Sequence, residues 1–484
     1  MDLTTLTRAC VLTMMAALTA AFASPDGARP RGDHVPSRFQ HPRVTEHRGS
    51  DDLLTAGLGL DGLRAFAPPA FADASAPTPA EVRRRAIWAN WRGIADLSPG
   101  GGYGTLYGST AAVPGREYSA LATVPGARQP HRVLVQVPDG FDRPRRCIVV
   151  AASSGSRGVY GAIAVAGAWG LPKGCAVAYT DKGAGTDYVD LDAGTGVRGD
   201  GTQAPLGTDG LAFTAGGGTG VAFKHAHSGD NPEADWGQHV RDAAEYALIA
   251  LGEAFPEDAP FRFDNTLVIA VGISNGGGAV LRAAEMPGGW LDAVVAGEPN
   301  VYVEGDRPLY DVATEAALLM PCALLALDNL PQPPLQAQAR PQWTAQCAAL
   351  RDAGLVEGND ADAQARDALA RLRAAGWSDG ALRAGALSVG FDLWRAVSAT
   401  YASAYGRFGV GEHPCGLRFA AVDANGMARA ATSGERAAWP SDASGIPPGA
   451  GVALLSAQGR VDADVGTLQC LRGLWTGDGA DARR

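Results

Sequence analysis

The chain lacks several features that would place it in other classes of protein. Its seven cysteines include no CxxC pair, which disfavours a zinc knuckle or a thioredoxin-like redox site. Beyond the N-terminus it has no continuous apolar run of about eighteen residues, so we predict no membrane span. The net charge is -10 and no basic stripe offsets it, which argues against a nucleic acid partner. Nothing in the sequence calls for a cofactor or a metal.

The composition that is present fits a globular protein. Hydrophobic residues make up 46% and charged residues 19% of 484 residues, enough for a substantial core. One large domain, or one domain with an insertion, is therefore expected. The 64 glycines predict many long connecting loops, and we find no internal repeat.

The N-terminus has the pattern of an export signal. Arg8 precedes an apolar run over residues 9–20, and Ala21-Phe22-Ala23 is a small-x-small cleavage pattern. We therefore predict a signal peptide at 1–23 and a secreted or periplasmic protein. Without Cys10, an even number of six cysteines remains, which permits disulfides but leaves their pairing open.

The most informative stretch is the G-x-S-x-G motif at residues 272–276. An apolar run at 266–271 precedes it, and Gly277-Gly278 leads into a helical pattern at 279–286. Strand, sharp turn and helix are the setting of a nucleophile elbow, which lifts a serine hydroxyl clear of a sheet. Ser274 is thus the predicted nucleophile, and the alternative is an ordinary turn in a glycine-rich chain.

The surrounding pattern predicts an α/β fold. Buried strands at 147–152 and 175–179 flank a small-residue helix at 161–170, which is a β-α-β unit of a parallel sheet. A long helix is predicted to begin after Asn231 as N-cap, and another strand at 291–296 follows the motif. We expect an α/β-hydrolase-like, mostly parallel sheet.

Composition and periodicity divide the chain further. After the signal peptide we expect an N-terminal wrapping segment at 24–80, the hydrolase core at 81–306, a helical lid insertion at 307–408 and a C-terminal segment at 409–484. In the insertion, apolar residues recur with helical spacing at 345–353, 361–375 and 391–405, and prolines including Pro341 punctuate the connections.

An elbow serine needs donors for an oxyanion. The backbone N–H of Asn275, the residue after the nucleophile, would be one, and Gly155 and Ser156, in the loop after the 147–152 strand, would supply the other. Arg157 in the same loop would contact substrate or form a surface ion pair.

The general base is harder to find. In this fold the triad runs serine, acid, histidine along the chain, and His413 is the one histidine after Ser274. Glu298, just past the 291–296 strand, is the candidate acid, and Asp423 is an alternative.

A second group of histidines precedes the motif. His225 and His227 form an H-x-H pair that could bind zinc, but no further ligand set is evident, so we favour lining of the substrate pocket.

Several blocks resemble one bacterial family, the D-(-)-3-hydroxybutyrate oligomer hydrolases. They are DDLLTAGLG at 51–59, GGYGTLYG at 101–108, SSGSRGVYGA at 153–162, GCAVAYTDKG at 174–183, KHAHS at 224–228 and SNGGG at 274–278. The resemblance implies an exported serine esterase that acts downstream of polyhydroxybutyrate depolymerase. Its substrates would be short ester oligomers, its product the monomer, and its nucleophile Ser274.

The resemblance also marks a difference. Family members continue into a further C-terminal segment, so residues 409–484 are expected to be truncated relative to the family, and no matching triad acid or base is found in them. Two other functions therefore stay open: a catalytically inactive binding relative, and an esterase for other short or aryl esters. The oligomeric state is not predicted.

Overall fold

The structure is a computed structural model that describes residues 38–104, 106, 108–331, 336–442, 445–446, 451–461 and 464–474, with side chains excluded at 336–339. The predicted signal peptide at 1–23 and the first part of the wrapping segment lie outside these residues.

The described strands are, in chain order, β1 Phe39–His47, β2 Gly115–Ala122, β3 His131–Pro138, β4 Cys147–Ala152, β5 Ala176–Thr180, β6 Tyr188–Asp190, β7 Thr195–Val197, β8 Gln203–Pro205, β9 Val221–Phe223, β10 Leu267–Ile273, β11 Ala293–Gly297, β12 Arg418–Ala421 and β13 Val452–Leu455.

The described α-helices are α1 Gly59–Arg64, α2 Pro79–Ile94, α3 Ala168–Gly170, α4 Lys224–His227, α5 Trp236–Ala254, α6 Asn275–Ala284, α7 Leu309–Ala323, α8 Gln336–Asp352, α9 Ala361–Ala374, α10 Asp379–Gly390, α11 Leu393–Gly406, α12 Ser433–Ala438 and α13 Val465–Gly473. Short 3-10 turns occur at Pro99–Gly101, Val159–Ala162, Leu171–Lys173, Pro256–Asp258, Leu324–Ala326 and Trp439–Ser441, and a π-helical turn at Ile163–Gly167.

The main sheet of the described region is mixed. Its order is β1-β2-β3-β5-β4-β10-β11, in which β5, β4, β10 and β11 run parallel and β1, β2 and β3 add antiparallel strands. The parallel half agrees with the sequence prediction. Its strand β4 is buried along its whole length, as a continuous apolar run of a strand covered on both faces should be.

Part of the predicted wrapping segment is regular structure. β1 pairs with β2 at the edge of the main sheet, and Leu53 and Leu54 are completely buried. The Asp52 carboxylate organises the turn between β1 and α1, because it accepts hydrogen bonds from the backbone N–H groups of Leu54, Thr55 and Gly57 at 2.7, 2.7 and 2.8 Å.

The long helix before the motif begins later than the sequence predicts. Its N-cap is Asp235, and Asn231 instead closes a preceding turn in which the Ala234 N–H donates to the Asn231 carbonyl oxygen at 3.0 Å. A local side-chain and backbone turn has therefore replaced the first helical turn that the Asn-Pro pair suggested.

The described residues between 309 and 406 are mostly helical. α9 and α11 lie close to the predicted helices, whereas α7 and α10 were not predicted, and Pro341 lies inside α8 rather than between helices. A proline inside a helix removes one N–H donor and crowds the carbonyl four residues earlier, so α8 forms in spite of this cost. Within the described residues, Leu309–Ala326 is the stretch long and apolar enough to cross a membrane, and 67% of it is buried inside the protein.

The six described cysteines form three disulfides. Cys147–Cys175 joins the first residue of β4 to the residue before β5, Cys322–Cys347 joins α7 to α8, and Cys415–Cys470 joins the β12 region to α13. The sequence had left this pairing open.

Candidate active site

Ser274 lies at a strained corner between β10 and α6. Its φ of 57° and ψ of -125° fall in a region that side-chain-bearing residues rarely adopt, and its side chain is exposed. Such strain persists only where the surrounding structure enforces it, and it concentrates at functional sites.

The glycines of the motif are required by close backbone approach. A Cβ on Gly272 would lie 2.2 Å from the Gly276 carbonyl oxygen, one on Gly276 would lie 2.6 Å from the Ala152 oxygen, and one on Gly278 would lie 2.3 Å from the Asn300 oxygen. The corner is thus pressed against the end of β4 on one side and the segment after β11 on the other. Any larger residue at these positions would push α6 away from the sheet.

Backbone hydrogen bonds hold the corner in place. The Ser274 N–H donates to the Gly297 carbonyl oxygen at 2.9 Å, and the Asn300 N–H donates to the Ser274 carbonyl oxygen at 3.1 Å. Both bonds tie the corner to the carboxyl end of β11, so the serine sits at the edge where the parallel strands end. In α/β sheets this edge is where ligands bind.

Asn275 and the loop after β4 lie against each other. Asn275 is the first residue of α6, where backbone N–H groups have no acceptor within the helix and favour negative charge. A Cβ on Gly155 would lie 3.7 Å from the Asn275 Cβ, so the predicted oxyanion loop is in contact distance of the elbow. The Ser156 carbonyl oxygen accepts a bond from the Gly445 N–H at 2.7 Å, which anchors the same loop. This is a suitable place for an oxyanion.

A buried polar cluster adjoins the corner. The Lys182 ammonium donates to Glu233 Oε1 and to Asn275 Oδ1, and Asn275 Nδ2 donates to Glu233 Oε2 at 3.3 Å. Lys182 is fully buried and Glu233 is 12% exposed. Burial opposes ionisation of Glu233, but Lys182 and then His225 more than compensate and hold its pKa well below the usual range.

His225 and His227 are placed differently from each other. His225 Nε2 lies 2.9 Å from Glu233 Oε1 and so belongs to the polar cluster, whereas His227 Nδ1 lies 3.2 Å from the Phe223 backbone N. Burial is the main cause that lowers the pKa of each to about 4. In the described part of the chain, no group of three or more His, Cys, Asp or Glu side chains is arranged to hold a metal.

His413 is buried and is hydrogen-bonded within its own loop. His413 is 8% exposed, its Nδ1 accepts a bond from the Cys415 N–H at 3.1 Å, and burial lowers its pKa to about 4. No histidine of the described residues bonds to the Ser274 hydroxyl. The role of His413 as base therefore stays a prediction.

Of the two candidate acids, Glu298 is the one near the corner. It follows Gly297 directly, its side chain is exposed, and its φ of 41° is a second unusual backbone angle at this edge. Asp423 instead caps a turn, where its Oδ1 accepts bonds from the Asn425 and Met427 N–H groups, each at 2.9 Å.

Arg157 is directed toward α2. Its Nη2 donates to the Gly93 carbonyl oxygen at 2.6 Å, and burial lowers its pKa. In this structure the guanidinium thus holds the loop to the end of a helix, and contact with a substrate stays a prediction.

Sequence reasoning missed Lys182 and Glu233. A signal for Lys182 was present, because it comes two residues after β5, and carboxyl ends of parallel strands meet at one edge. Glu233 had no comparable signal, since the sequence pattern predicts it inside the helix, whereas it lies in the loop before α5.

A cavity of about 820 Å³ lies on the antiparallel half of the molecule, lined by residues that include Arg83, Glu117 and Tyr160. Neither Ser274 nor Asn275 lines it. We therefore place the candidate active site at the corner, on the strength of its strained serine and adjoining helix N-terminus, and not at this cavity.

The fold and the corner together define a mixed α/β protein with an exposed serine at the carboxyl edge of its parallel strands. The family model described as 3HB-oligomer hydrolase matches residues 18–484. The chain belongs to this family, and the resemblance seen in the sequence blocks is confirmed.

Curated relatives agree with the family. The D-(-)-3-hydroxybutyrate oligomer hydrolase of Burkholderia vietnamiensis is 40% identical over 515 residues, covering 92% of this chain and 74% of the relative. That of Paracidovorax citrulli is 38% identical over 550 residues, covering 97% and 77%. Among solved structures, an esterase from Aspergillus oryzae matches 53% of this chain and 46% of its own at 10% identity with a TM-score of 0.27, too low to support an argument.

Proposed function

We propose that this protein is a serine esterase that hydrolyses D-3-hydroxybutyrate oligomers to the monomer, in the breakdown of polyhydroxybutyrate. The observation that carries the proposal is the strained, exposed Ser274 beside the N-terminus of α6, in a chain of the 3HB-oligomer hydrolase family. The relatives' names specify the oligomer, and the corner offers an exposed serine hydroxyl beside a helix N-terminus, which suits attack on an ester.

The proposed reaction is acyl transfer. The Ser274 hydroxyl oxygen attacks the ester carbonyl, and its proton leaves for a general base. The Asn275 N–H and the loop at Gly155 and Ser156 stabilise the resulting oxyanion. Collapse of the intermediate expels the alcohol of one hydroxybutyrate unit, and water then releases the acyl group as the acid.

The identity of the general base has to be determined by experiment. A general base contributes about 100-fold or more to such a reaction. His413 is not hydrogen-bonded to Ser274, so its role as base is tested with His413→Asn. Full activity in this variant would exclude His413 as the base. Glu298→Gln tests the candidate acid in the same way.

The wider setting of the proposal is an exported α/β-hydrolase-like protein. The parallel half of the sheet, with the serine between β10 and α6, supports the fold, and the helices of residues 309–406 would form the lid. Three disulfides support an oxidising compartment such as the periplasm or the medium.

The test compares wild type with Ser274→Ala on hydroxybutyrate dimer and trimer. We expect the alanine variant to lose at least about 1000-fold in kcat, because removal of a nucleophile leaves only oxyanion stabilisation and binding. Ser433→Ala, an exposed serine at the start of α12, is the matched control and should keep wild-type turnover. Equal turnover in Ser274→Ala and wild type would refute the assignment.

A second candidate function is a catalytically inactive binding protein. It is favoured by one observation, the absence of a histidine bonded to Ser274 among the described residues. An organophosphonate probe separates the two candidates, because rapid labelling requires an activated serine. A mass shift on the peptide that contains Ser274 supports the esterase, and an unlabelled protein that still binds the oligomer supports the binding protein.

A further inference from the structure

Two buried charged side chains next to the corner have no part in the proposed chemistry. Lys182 follows β5 and is completely buried, although an ammonium in a protein interior loses its hydration. Glu233 lies ahead of α5 and is 12% exposed. Neither is hydrogen-bonded to the Ser274 hydroxyl, so a direct part in the reaction is not indicated.

Both charged side chains form hydrogen bonds with one neutral side chain, that of Asn275. Lys182 Nζ donates to Asn275 Oδ1, Asn275 Nδ2 donates to Glu233 Oε2 at 3.3 Å, and Lys182 closes the ring by pairing with Glu233 Oε1. The carboxamide is thus held at both its oxygen and its nitrogen. Its rotation about the side-chain bonds is blocked without any covalent constraint.

A second layer holds the ring itself. His225 Nε2 lies 2.9 Å from Glu233 Oε1, and Lys182 Nζ lies 3.3 Å from the Tyr401 hydroxyl, which comes from α11. The Tyr401 ring also meets the His225 ring edge to face, with centroids 5.3 Å apart. Because an unpaired buried charge is costly, each member is kept in place by the others.

We propose that Lys182 and Glu233 are positioning residues of the active site, whose ion pair fixes Asn275 so that its backbone N–H stays directed at the oxyanion. This rests on the proposed function, in which the Asn275 N–H is an oxyanion donor. Asn275 is the first residue of α6, where no preceding helical turn constrains it. In addition to the backbone bonds that hold Ser274 beside it, the Asn275 side chain gives the rest of the protein a second connection that sets the orientation of this residue.

The first test is Glu233→Gln, which keeps the shape of the side chain and removes its charge. We expect kcat on hydroxybutyrate trimer to fall roughly 10-fold or more, with KM changed less than about 2-fold, since a misdirected oxyanion donor weakens the transition state more than the bound substrate. Amide hydrogen exchange in the peptide that holds residues 274–284 should also become faster.

The matched control is Glu117→Gln. Glu117 is a buried carboxylate of the same kind, 4% exposed and paired with Arg83 through two bonds at 2.9 and 2.8 Å, but it lies on β2, with β3, β5 and β4 between it and β10 in the sheet. We expect this variant to lose stability while keeping wild-type kcat and wild-type exchange at residues 274–284. Equal effects of both variants on kcat and on exchange at the corner would overturn the proposal, because the loss would then be general.

Asn275→Ala keeps the backbone N–H and removes only the carboxamide that bonds to Lys182 and Glu233. It therefore tests the connection between the ion pair and the oxyanion donor while leaving the Lys182–Glu233 pair itself in place. We expect a fall in kcat similar to that of Glu233→Gln. The double variant, Glu233→Gln with Asn275→Ala, should have a kcat no lower than that of either single variant, since both changes remove the same interaction between Glu233 and the Asn275 side chain. Losses that multiply in the double variant would overturn the proposal.

Failure of this inference can be told from failure of the proposed function. A wild-type protein that neither cleaves the trimer nor reacts with an organophosphonate contradicts the esterase function. Hydrogen exchange at residues 274–284 still decides the positioning role in that case. Exchange unchanged between wild type and Glu233→Gln refutes it, and faster exchange supports it.

Discussion

Replacing Gly276 by alanine should damage the corner severely, because the added methyl group meets backbone on the sheet side of α6. The new Cβ would lie 2.6 Å from the Ala152 carbonyl oxygen and 2.8 Å from that of Ser153, and both are backbone atoms that cannot rotate away. To reach the 3.4 Å at which ordinary contact begins, α6 and the end of β4 must separate by about 0.8 Å.

The size of the effect follows from that displacement. Overpacking of this kind costs about 1–3 kcal/mol of the free energy of unfolding. The activity should suffer more, because Ser274 and Asn275 move with the start of α6, and a misplacement of about 1 Å at a reacting centre costs on the order of 100-fold in rate.

The assay measures kcat on hydroxybutyrate trimer and unfolding in urea for Gly276→Ala and for a control, Gly252→Ala. Gly252 lies inside α5, and a methyl group added there would have nothing within 4 Å, so this change should raise stability by about 0.5–1 kcal/mol and leave kcat unchanged. A Gly276→Ala variant with wild-type kcat and stability would refute the account of the corner as a close-packed, backbone-limited turn.

Two further predictions concern stability. Burial lowers the pKa of His227 and His413 to about 4 and that of His239 to about 3, so below about pH 6.5 the unfolded chain binds more protons than the folded one, and stability is lost as the pH falls toward 4. Urea unfolding at pH 5 and pH 7 should show about 2 kcal/mol of stability lost per histidine at pH 5, and His413→Gln should reduce this difference. Equal stability at both pH values would contradict the prediction. Opening the Cys415–Cys470 disulfide, which spans 55 residues, by replacing both cysteines with alanine should lower the free energy of unfolding by about 4 kcal/mol, and a loss below about 1 kcal/mol would show that the bond adds little constraint to the unfolded chain.

The sequence predicted those parts of the site that depend on neighbours along the chain. The strand, turn and helix around Ser274 lie within about twenty residues, and the glycines there are dictated by the turn itself, so the corner could be recognised from residues 266–286. The loop at Gly155 was also found, because it directly follows a strand that is apolar along its whole length.

The same reasoning failed where a local signal competed with another. Asn231 and Pro232 look like the start of a helix, but they form a separate turn, and α5 begins at Trp236. Pro341 looks like a break between helices, but it lies inside α8. The helix-forming residues on both sides of Pro341 stabilise α8 by more than the proline destabilises it, and the presence of a proline in the sequence does not show which contribution is larger.

Tertiary structure alone decided which distant residues meet. Lys182 and Asn275 are 93 residues apart, and Lys182 and Glu233 are 51 apart; they come together because β5 and β10 flank β4 and end at the same edge. The same packing fixed the three disulfides. The sequence by itself determined the family and the strand–turn–helix corner at Ser274, since both depend on short contiguous blocks of residues. The groups that surround the corner depend on strand order and burial, which are properties of the folded chain as a whole.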